Sequence, residues 1–149
     1  MQHTAVQRVA VLFAAAALFS VALFMSSTAE AEAQASGEQV VSEARSWIGT
    51  PYQYGGASSS GIDCSGFTMR VMEQFGVDLP RTADAQYNVG TESNAKAGDL
   101  VFFTNGGNNG IVHNGIATGN GTVIHAGYNG VTETPMQYLE GYAGAKDVV

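Results

Sequence analysis

The hydrophobic residues of this chain follow three different patterns along its length. Residues 9–25 are apolar with one exception, Ser20. Between residues 36 and 76, apolar side chains recur at the three- and four-residue spacing of an amphipathic helix. After Gly98 they form short runs separated by glycine and asparagine, which is typical of strands and turns. Helices before an antiparallel sheet predict an α+β domain.

Three helices are predicted from spacing and from their end signals. The first is capped by Ser36 and ends at Gly49. The second begins near Cys64, runs to Phe75 and is followed by Gly76. A short third helix follows Thr82, whose side chain can cap it. The segment between the first two helices, residues 50–61, has the turn chemistry of a long ordered loop.

The short apolar runs in the second half of the chain predict strands. A buried strand is expected at residues 99–103, and a hairpin is expected from residues 111–118 and 122–126, joined through Gly119–Gly121. Weaker strand candidates are residues 131–134 and 147–149. Residues 105–110 are rich in glycine and asparagine and predict a flexible loop.

The N-terminal segment has the features of a secretory signal peptide, which we predict over residues 1–35. Arg8 precedes the apolar run, and small residues at alternate positions from Ala29 to Ala35 fit the cleavage pattern. An uncleaved anchor is the alternative, since a spanning helix needs about 20 apolar residues. We expect an exported protein, secreted, periplasmic or associated with the cell wall, without stable membrane association after cleavage.

Residues 36–149 are enough for one domain, which we expect to be monomeric. They carry five basic and eleven acidic side chains, so their formal charge is near −6. A negative domain argues against a nucleic-acid partner, because phosphate backbones attract basic surfaces.

Cys64 is the only cysteine, so it cannot form a disulfide within the chain. A free thiol in an exported protein is prone to oxidation, which favours a chemical use for it. Its place in the first turn of a helix predicts a pKa below that of a free cysteine. The alternative is a small buried apolar residue.

Two histidines of residues 36–149, His113 and His125, lie in the predicted hairpin. If the loop has three residues, Thr118 pairs with Thr122 and His113 lies opposite Gly127. His125 is then its diagonal neighbour on the same face, within reach of a long side chain. A two-residue loop would place the histidines on opposite faces, and surface or structural roles are the alternative for both.

Six segments of the chain resemble, in the same order, the NlpC-type cell-wall cysteine peptidases. The segments are residues 49–56, 63–67, 79–82, 97–103, 113–116 and 123–126. The resemblance implies a papain-like fold in which the catalytic cysteine opens a helix packed on a small antiparallel sheet.

Carried over by position, the resemblance implies a role for each candidate residue. Cys64 resembles the nucleophile, His113 the general base and acid, and His125 the residue that orients the base. Tyr52 is a candidate oxyanion donor, with packing against the loop as the alternative. Asp63 and Ser65 resemble substrate contacts, and helix capping is the other role open to Asp63.

The function implied is hydrolysis of an amide bond in peptidoglycan stem peptides, in particular the bond from γ-D-glutamyl to the diamino acid, without a cofactor. The alternatives are an N-acetylmuramoyl-L-alanine amidase and a non-catalytic wall-binding protein of the same fold. A zinc site made of Cys64, His113 and His125 is a further alternative. Asn114 departs from the apolar residue common after the base histidine, and we expect its side chain to lie on the strand face opposite His113, with catalysis retained.

Overall fold

A computed structural model of the protein describes residues 35–107 and 110–149. The signal peptide predicted over residues 1–35 lies outside the described residues except for Ala35. Within the described ranges, no helix has both the length and the apolar character needed to cross a membrane.

The three helices begin where the sequence predicts. Helix α1 (Gly37–Ser46) starts after Ser36, whose hydroxyl accepts from the Gln39 N–H while the Gln39 side chain accepts from the Ser36 N–H. This reciprocal capping box satisfies two backbone donors at the helix start. Helix α2 (Cys64–Glu73) is capped by Asp63, and the short α3 (Ala83–Gln86) is capped by Thr82.

The strands form two antiparallel sheets. The small sheet pairs β1 (Ala57–Ser58) with β2 (Gly61–Ile62). The large sheet has six strands in the spatial order β3–β8–β4–β5–β6–β7. Its strands are β3 (Thr91–Ser93), β4 (Leu100–Phe103), β5 (His113–Ala117), β6 (Thr122–Gly127), β7 (Gly130–Pro135) and β8 (Tyr142–Asp147). The α+β class is therefore confirmed.

The strand predicted at residues 147–149 is wrong. The strand there, β8, spans Tyr142–Asp147 and pairs with β3 on one side and β4 on the other. Its central residues Ala143, Gly144 and Ala145 have low β propensity, so the strand depends on partners that are distant in sequence.

Two hydrophobic clusters lie on opposite faces of the sheet, as the alternation of side chains along a strand requires. Leu100 and Phe102 of β4 belong to a cluster with residues of α1 and α2, among them Phe67 and Val71. Val101 and Phe103 belong to a smaller cluster with Ala145. Helix α2, which begins with Cys64, is thus fixed by burial of its apolar stripe.

The β5–β6 hairpin has the three-residue loop on which the histidine geometry depends. Ile116 pairs with Ile124, and the Thr118 N–H donates to the Thr122 carbonyl at 3.1 Å. The same register places Gly115 opposite His125. A Cβ on Gly115 would lie 2.6 Å from Val123 Cγ1 and 2.9 Å from His125 Cβ. Only glycine allows the two strands to approach this closely.

We predict that Gly115→Ala lowers the free energy of unfolding by about 1–3 kcal/mol, because β6 must move to admit the methyl group. Denaturant unfolding measures the change. Gly127→Ala is the matched control, since its Cβ would meet the His125 ring at 3.4 Å, an ordinary contact. Equal unfolding midpoints for the two variants would contradict the close approach at Gly115.

Candidate active site

Cys64 is the first residue of α2, and the segment before it fixes its position. The Asp63 carboxylate accepts a hydrogen bond from the Gly66 N–H at 2.7 Å and caps the helix. Strand β2 directly precedes Asp63, and its residue Ile62 is fully buried and anchors the strand in the core. The thiol is free and half-buried, so it is held in place without being sealed from a substrate.

Burial raises the pKa of the Cys64 thiol. The backbone N–H of Asn114 acts in the opposite direction, as do those of Ser65 and Cys64 at the helix start, and the Asp63 charge adds to the increase. The pKa decrease predicted from the sequence is therefore wrong in its net direction, because desolvation outweighs the helix N-terminus. The thiol is protonated at neutral pH and needs a base to become a nucleophile.

His113 and His125 lie in direct contact. His113 Nε2 is 2.9 Å from His125 Nδ1, and the two rings are nearly perpendicular. His125 Nε2 in turn lies 3.0 Å from Thr134 Oγ1 on β7. When His113 donates through Nε2, His125 accepts through Nδ1, and His113 Nδ1 keeps a free lone pair that can accept a proton. The predicted diagonal contact of the two histidines is confirmed.

Burial lowers the pKa of His113 to about 4, and the neighbouring His125 adds to this decrease. Burial also lowers the pKa of His125. Both rings are consequently neutral at pH 7. A neutral His113 is in the protonation state that a general base requires.

Two cavities meet at Cys64. One, of about 420 Å³, is lined by Cys64 and His113 together with Tyr128, Gly127 and Ala126. The other, of about 430 Å³, is lined by Cys64 together with Asp63, Ser65, Arg81 and Asp84. Tyr52 and Val112 line both, so the thiol lies between an uncharged cavity and a charged one. The structure thus brings the predicted nucleophile and base into one cavity.

Tyr52 lies beside Cys64 at the junction of the two cavities. Its backbone forms an isolated parallel bridge with Ile62, and its ring centroid is 5.7 Å from that of Tyr128. Burial raises the pKa of the Tyr52 hydroxyl, and the negative charges of Asp63 and of Cys64 in its thiolate form add to the increase. The hydroxyl therefore stays protonated and can donate a hydrogen bond near the thiol.

Asp63 forms a forked ion pair with Arg81. The two guanidinium nitrogens donate to the two carboxylate oxygens at 3.0 and 2.8 Å. Arg81 also donates to the buried Ser65 hydroxyl at 3.0 Å. The capping role considered for Asp63 is confirmed, and Asp63 and Ser65 also line the charged cavity.

Two further residues of the site were not assigned a role from the sequence, Arg81 and Thr134. Arg81 lies in residues 79–82, one of the six segments that carry the family resemblance. It is also one of only five basic residues between 36 and 149, and this scarcity could have pointed to it. Thr134 gives no such signal, because its contact with His125 depends on the β6–β7 register. Among the described residues, no group of three or more His, Cys, Asp or Glu side chains is arranged to hold a metal ion.

Comparison with known proteins points to one family. The model of the NlpC/P60 family matches residues 49–144. The chain is 45% identical over 112 residues to a probable endopeptidase p60 of Listeria seeligeri, covering 69% of this chain and 21% of the relative. It is 46% identical over 92 residues to a gamma-DL-glutamyl hydrolase of Bacillus subtilis, covering 58% of this chain and 22% of the relative. The chain therefore spans about a fifth of the length of these curated relatives.

A solved structure agrees with these matches. The crystal structure of the NlpC/p60 domain of the peptidoglycan hydrolase SagA is similar with a TM-score of 0.69 and 39% identity, covering 76% of this chain and all of that chain. This similarity confirms the papain-like α+β fold. The family model covers the segments that carry Tyr52, Cys64, His113 and His125, and the chain belongs to the NlpC/P60 family.

Proposed function

We propose that the protein is a cysteine peptidase that hydrolyses an amide bond in the peptide stems of peptidoglycan. The observation that carries the proposal is the cavity shared by Cys64 and His113, with His125 in contact with His113. The Listeria and Bacillus relatives, named as an endopeptidase and as a gamma-DL-glutamyl hydrolase, support the same class of reaction. The bond proposed is the one from γ-D-glutamyl to the diamino acid.

The reaction begins with a proton transfer from the Cys64 thiol to His113. The thiolate attacks the amide carbonyl, and the negative charge develops on the carbonyl oxygen. The Cys64 backbone N–H and the Tyr52 hydroxyl are the proposed donors to this oxyanion. His113 then gives its proton to the leaving amine, and water hydrolyses the thioester with His113 again acting as base.

The positions of the two cavities support a proposed placement of the two halves of the substrate. His113 lines the uncharged cavity and must reach the leaving amine, so the diamino-acid half belongs there. The acyl half then occupies the cavity of Asp63, Ser65 and Arg81. Since Arg81 already pairs with Asp63, the exposed carboxylate of Asp84 is a further candidate for a peptide amine.

We also propose that residues 1–35 direct export and that residues 36–149 act as a monomeric domain on the cell wall. The support is the apolar run at residues 9–25 with small residues at alternate positions after it.

We predict that Cys64→Ala and Cys64→Ser both abolish release of fragments from defined stem peptides, because neither side chain supplies a thiolate. Mass spectrometry of the products identifies the bond. Fragment release that survives both substitutions would remove the thiol mechanism. Cleavage between muramic acid and L-alanine would identify the amidase alternative, and wall binding without cleavage by the native protein would identify the binding alternative.

We predict that His125→Asn retains more activity than His125→Leu, because an Asn oxygen can accept from His113 Nε2 and Leu cannot. We expect kcat to fall by about 10²–10⁴-fold for Leu, the range of general acid–base effects. KM should change little, since His125 is absent from the lining of both cavities. Equal kcat values for the two variants would contradict the orienting role.

We predict a pH profile of kcat/KM without a decrease near pH 6.5. Because the pKa of His113 is lowered to about 4, the base stays neutral as the pH falls and is lost only near pH 4. Because burial raises the pKa of Cys64, the reactive thiol–imidazole pair persists into alkaline solution. A decrease centred between pH 6 and 7 would mean that His113 titrates as in water.

A further inference from the structure

A buried polar cluster lies directly behind the catalytic pair and has no part in the reaction described above. Its members are the side chains of Thr68 on α2, Gln86 on α3 and Asn114 on β5, each with no exposed surface. The cluster thus connects three separate elements of the fold at one point.

Most of the hydrogen bonds within the cluster converge on Gln86. Its Oε1 accepts from Asn114 Nδ2 at 2.7 Å and from Thr68 Oγ1 at 2.7 Å. Its Nε2 donates to the carbonyls of Ser65 at 3.1 Å and Pro80 at 2.8 Å. Asn114 Nδ2 also donates directly to Thr68 Oγ1 at 3.3 Å. Gln86 therefore uses both of its N–H groups and accepts two hydrogen bonds.

One acceptor of this cluster has no hydrogen bond within the part of the chain that the structure describes. Asn114 Oδ1 is buried without a hydrogen-bond partner among the described residues. An unpaired buried acceptor destabilises the folded state, whereas an apolar side chain of similar volume would avoid that penalty. The hydrophobic core on this side of the sheet includes Phe67, Phe102 and Ile116, so an apolar residue at position 114 would have apolar neighbours.

The polar cluster lies next to both proposed reacting residues, His113 and Cys64. Asn114 follows His113 on β5, and its backbone N–H lies near enough to the Cys64 sulfur to favour the thiolate. On α2, the carbonyl of Ser65 accepts hydrogen bonds from the side chains of Gln86 and Thr68. Ser65 and Thr68 lie within about one turn of Cys64. Among the described residues, the contact of Asn114 with Thr68 is the one hydrogen bond between a side chain of α2 and a side chain of β5.

We propose that Asn114 is a positioning residue which, through Gln86 and Thr68, sets the distance between the Cys64 thiol and the His113 ring. The proposal rests on the proposed function, because it assigns the two side chains to one proton transfer. A displacement of about 1 Å between reacting groups can lower a rate about 100-fold. Burial of its apolar stripe holds α2 against the sheet. The hydrogen bonds of Asn114, which weaken when their length or angle changes, add a constraint on the alignment of α2 with β5.

The test is Asn114→Leu, which keeps the number and branching of the heavy atoms and removes both polar atoms. We expect a thermal midpoint that is unchanged or raised, a KM within twofold of the native value and a kcat lowered by about 10- to 100-fold. Ile116→Val is the matched control on the same strand and face. It should lower the thermal midpoint and leave kcat unchanged, since Ile116 packs in the core and takes no part in the polar cluster.

A second variant tests the network and covers the case in which Asn114→Leu fails to fold. Thr68→Val removes one hydroxyl at constant shape, and its loss of kcat should be smaller than that of Asn114→Leu. If both residues act through one cluster, the double variant loses no more than Asn114→Leu alone. If the fold loss of kcat in the double variant equals the two single-variant losses multiplied together, the proposal is overturned.

Alkylation of Cys64 by iodoacetamide at pH 7 separates this proposal from the proposed function, because it needs no substrate. We expect slower alkylation in Asn114→Leu, in the same direction as in His113→Ala. If the native protein cleaves no stem peptide, the proposed function fails while the alkylation comparison still tests the positioning. If Asn114→Leu is alkylated at the native rate, or has a raised KM with an unchanged kcat, the positioning role of Asn114 is overturned.

Discussion

The Asp63 carboxylate is the point on which the geometry of the site depends. It accepts hydrogen bonds from the Gly66 N–H in the first turn of α2, from the Gly55 N–H in the loop before it, and from Arg81 beyond the helix. Although burial acts to raise the pKa of Asp63, the hydrogen bonds from Arg81 and Gly66 hold it below its ordinary value. An ionised carboxylate thus ties three segments together one residue before Cys64, the proposed nucleophile. Charge-assisted hydrogen bonds of this kind are among the strongest in proteins.

Burial then determines the chemical state of the reacting groups. It raises the pKa of Cys64 and lowers the pKa of both histidines, so the thiol and the imidazoles are all neutral at pH 7. Cys64, His113 and His125 therefore carry no charge before a substrate arrives. In the proposed reaction, the contact from His113 through His125 to Thr134 keeps the base oriented, so that proton transfer follows the approach of the carbonyl. The site therefore depends on orientation more than on a stored thiolate.

Much of this arrangement could be predicted from local sequence signals. Ser36, Asp63 and Thr82 cap the three helices as expected, because capping depends on residues within one turn. The contact of His113 with His125 could be predicted because a three-residue loop fixes the register of the whole hairpin. Such signals act over a few residues, and so they can be read directly from the order of the chain.

Features that depend on distant parts of the chain could not be predicted in this way. Strand β8 lacks β-branched residues at its centre and forms through its two neighbours. The pKa of Cys64 was predicted to fall because the helix start is visible in the sequence, while the burial that raises it comes from tertiary packing. The bonds of Asn114 to Gln86 and Thr68 likewise join residues 28 and 46 positions away. The position of Asn114 on the face opposite His113 followed from alternation, but its partners did not.

In the proposed reaction, Cys64 attacks the substrate and carries its acyl half as a thioester. Intact-mass spectrometry of a reaction between the protein and a stem peptide, quenched by acid within the first turnovers, tests this most directly. The account predicts a mass increase equal to the acyl half of the peptide, located on Cys64, that disappears as product accumulates. Product formation without any adduct on Cys64 would contradict it.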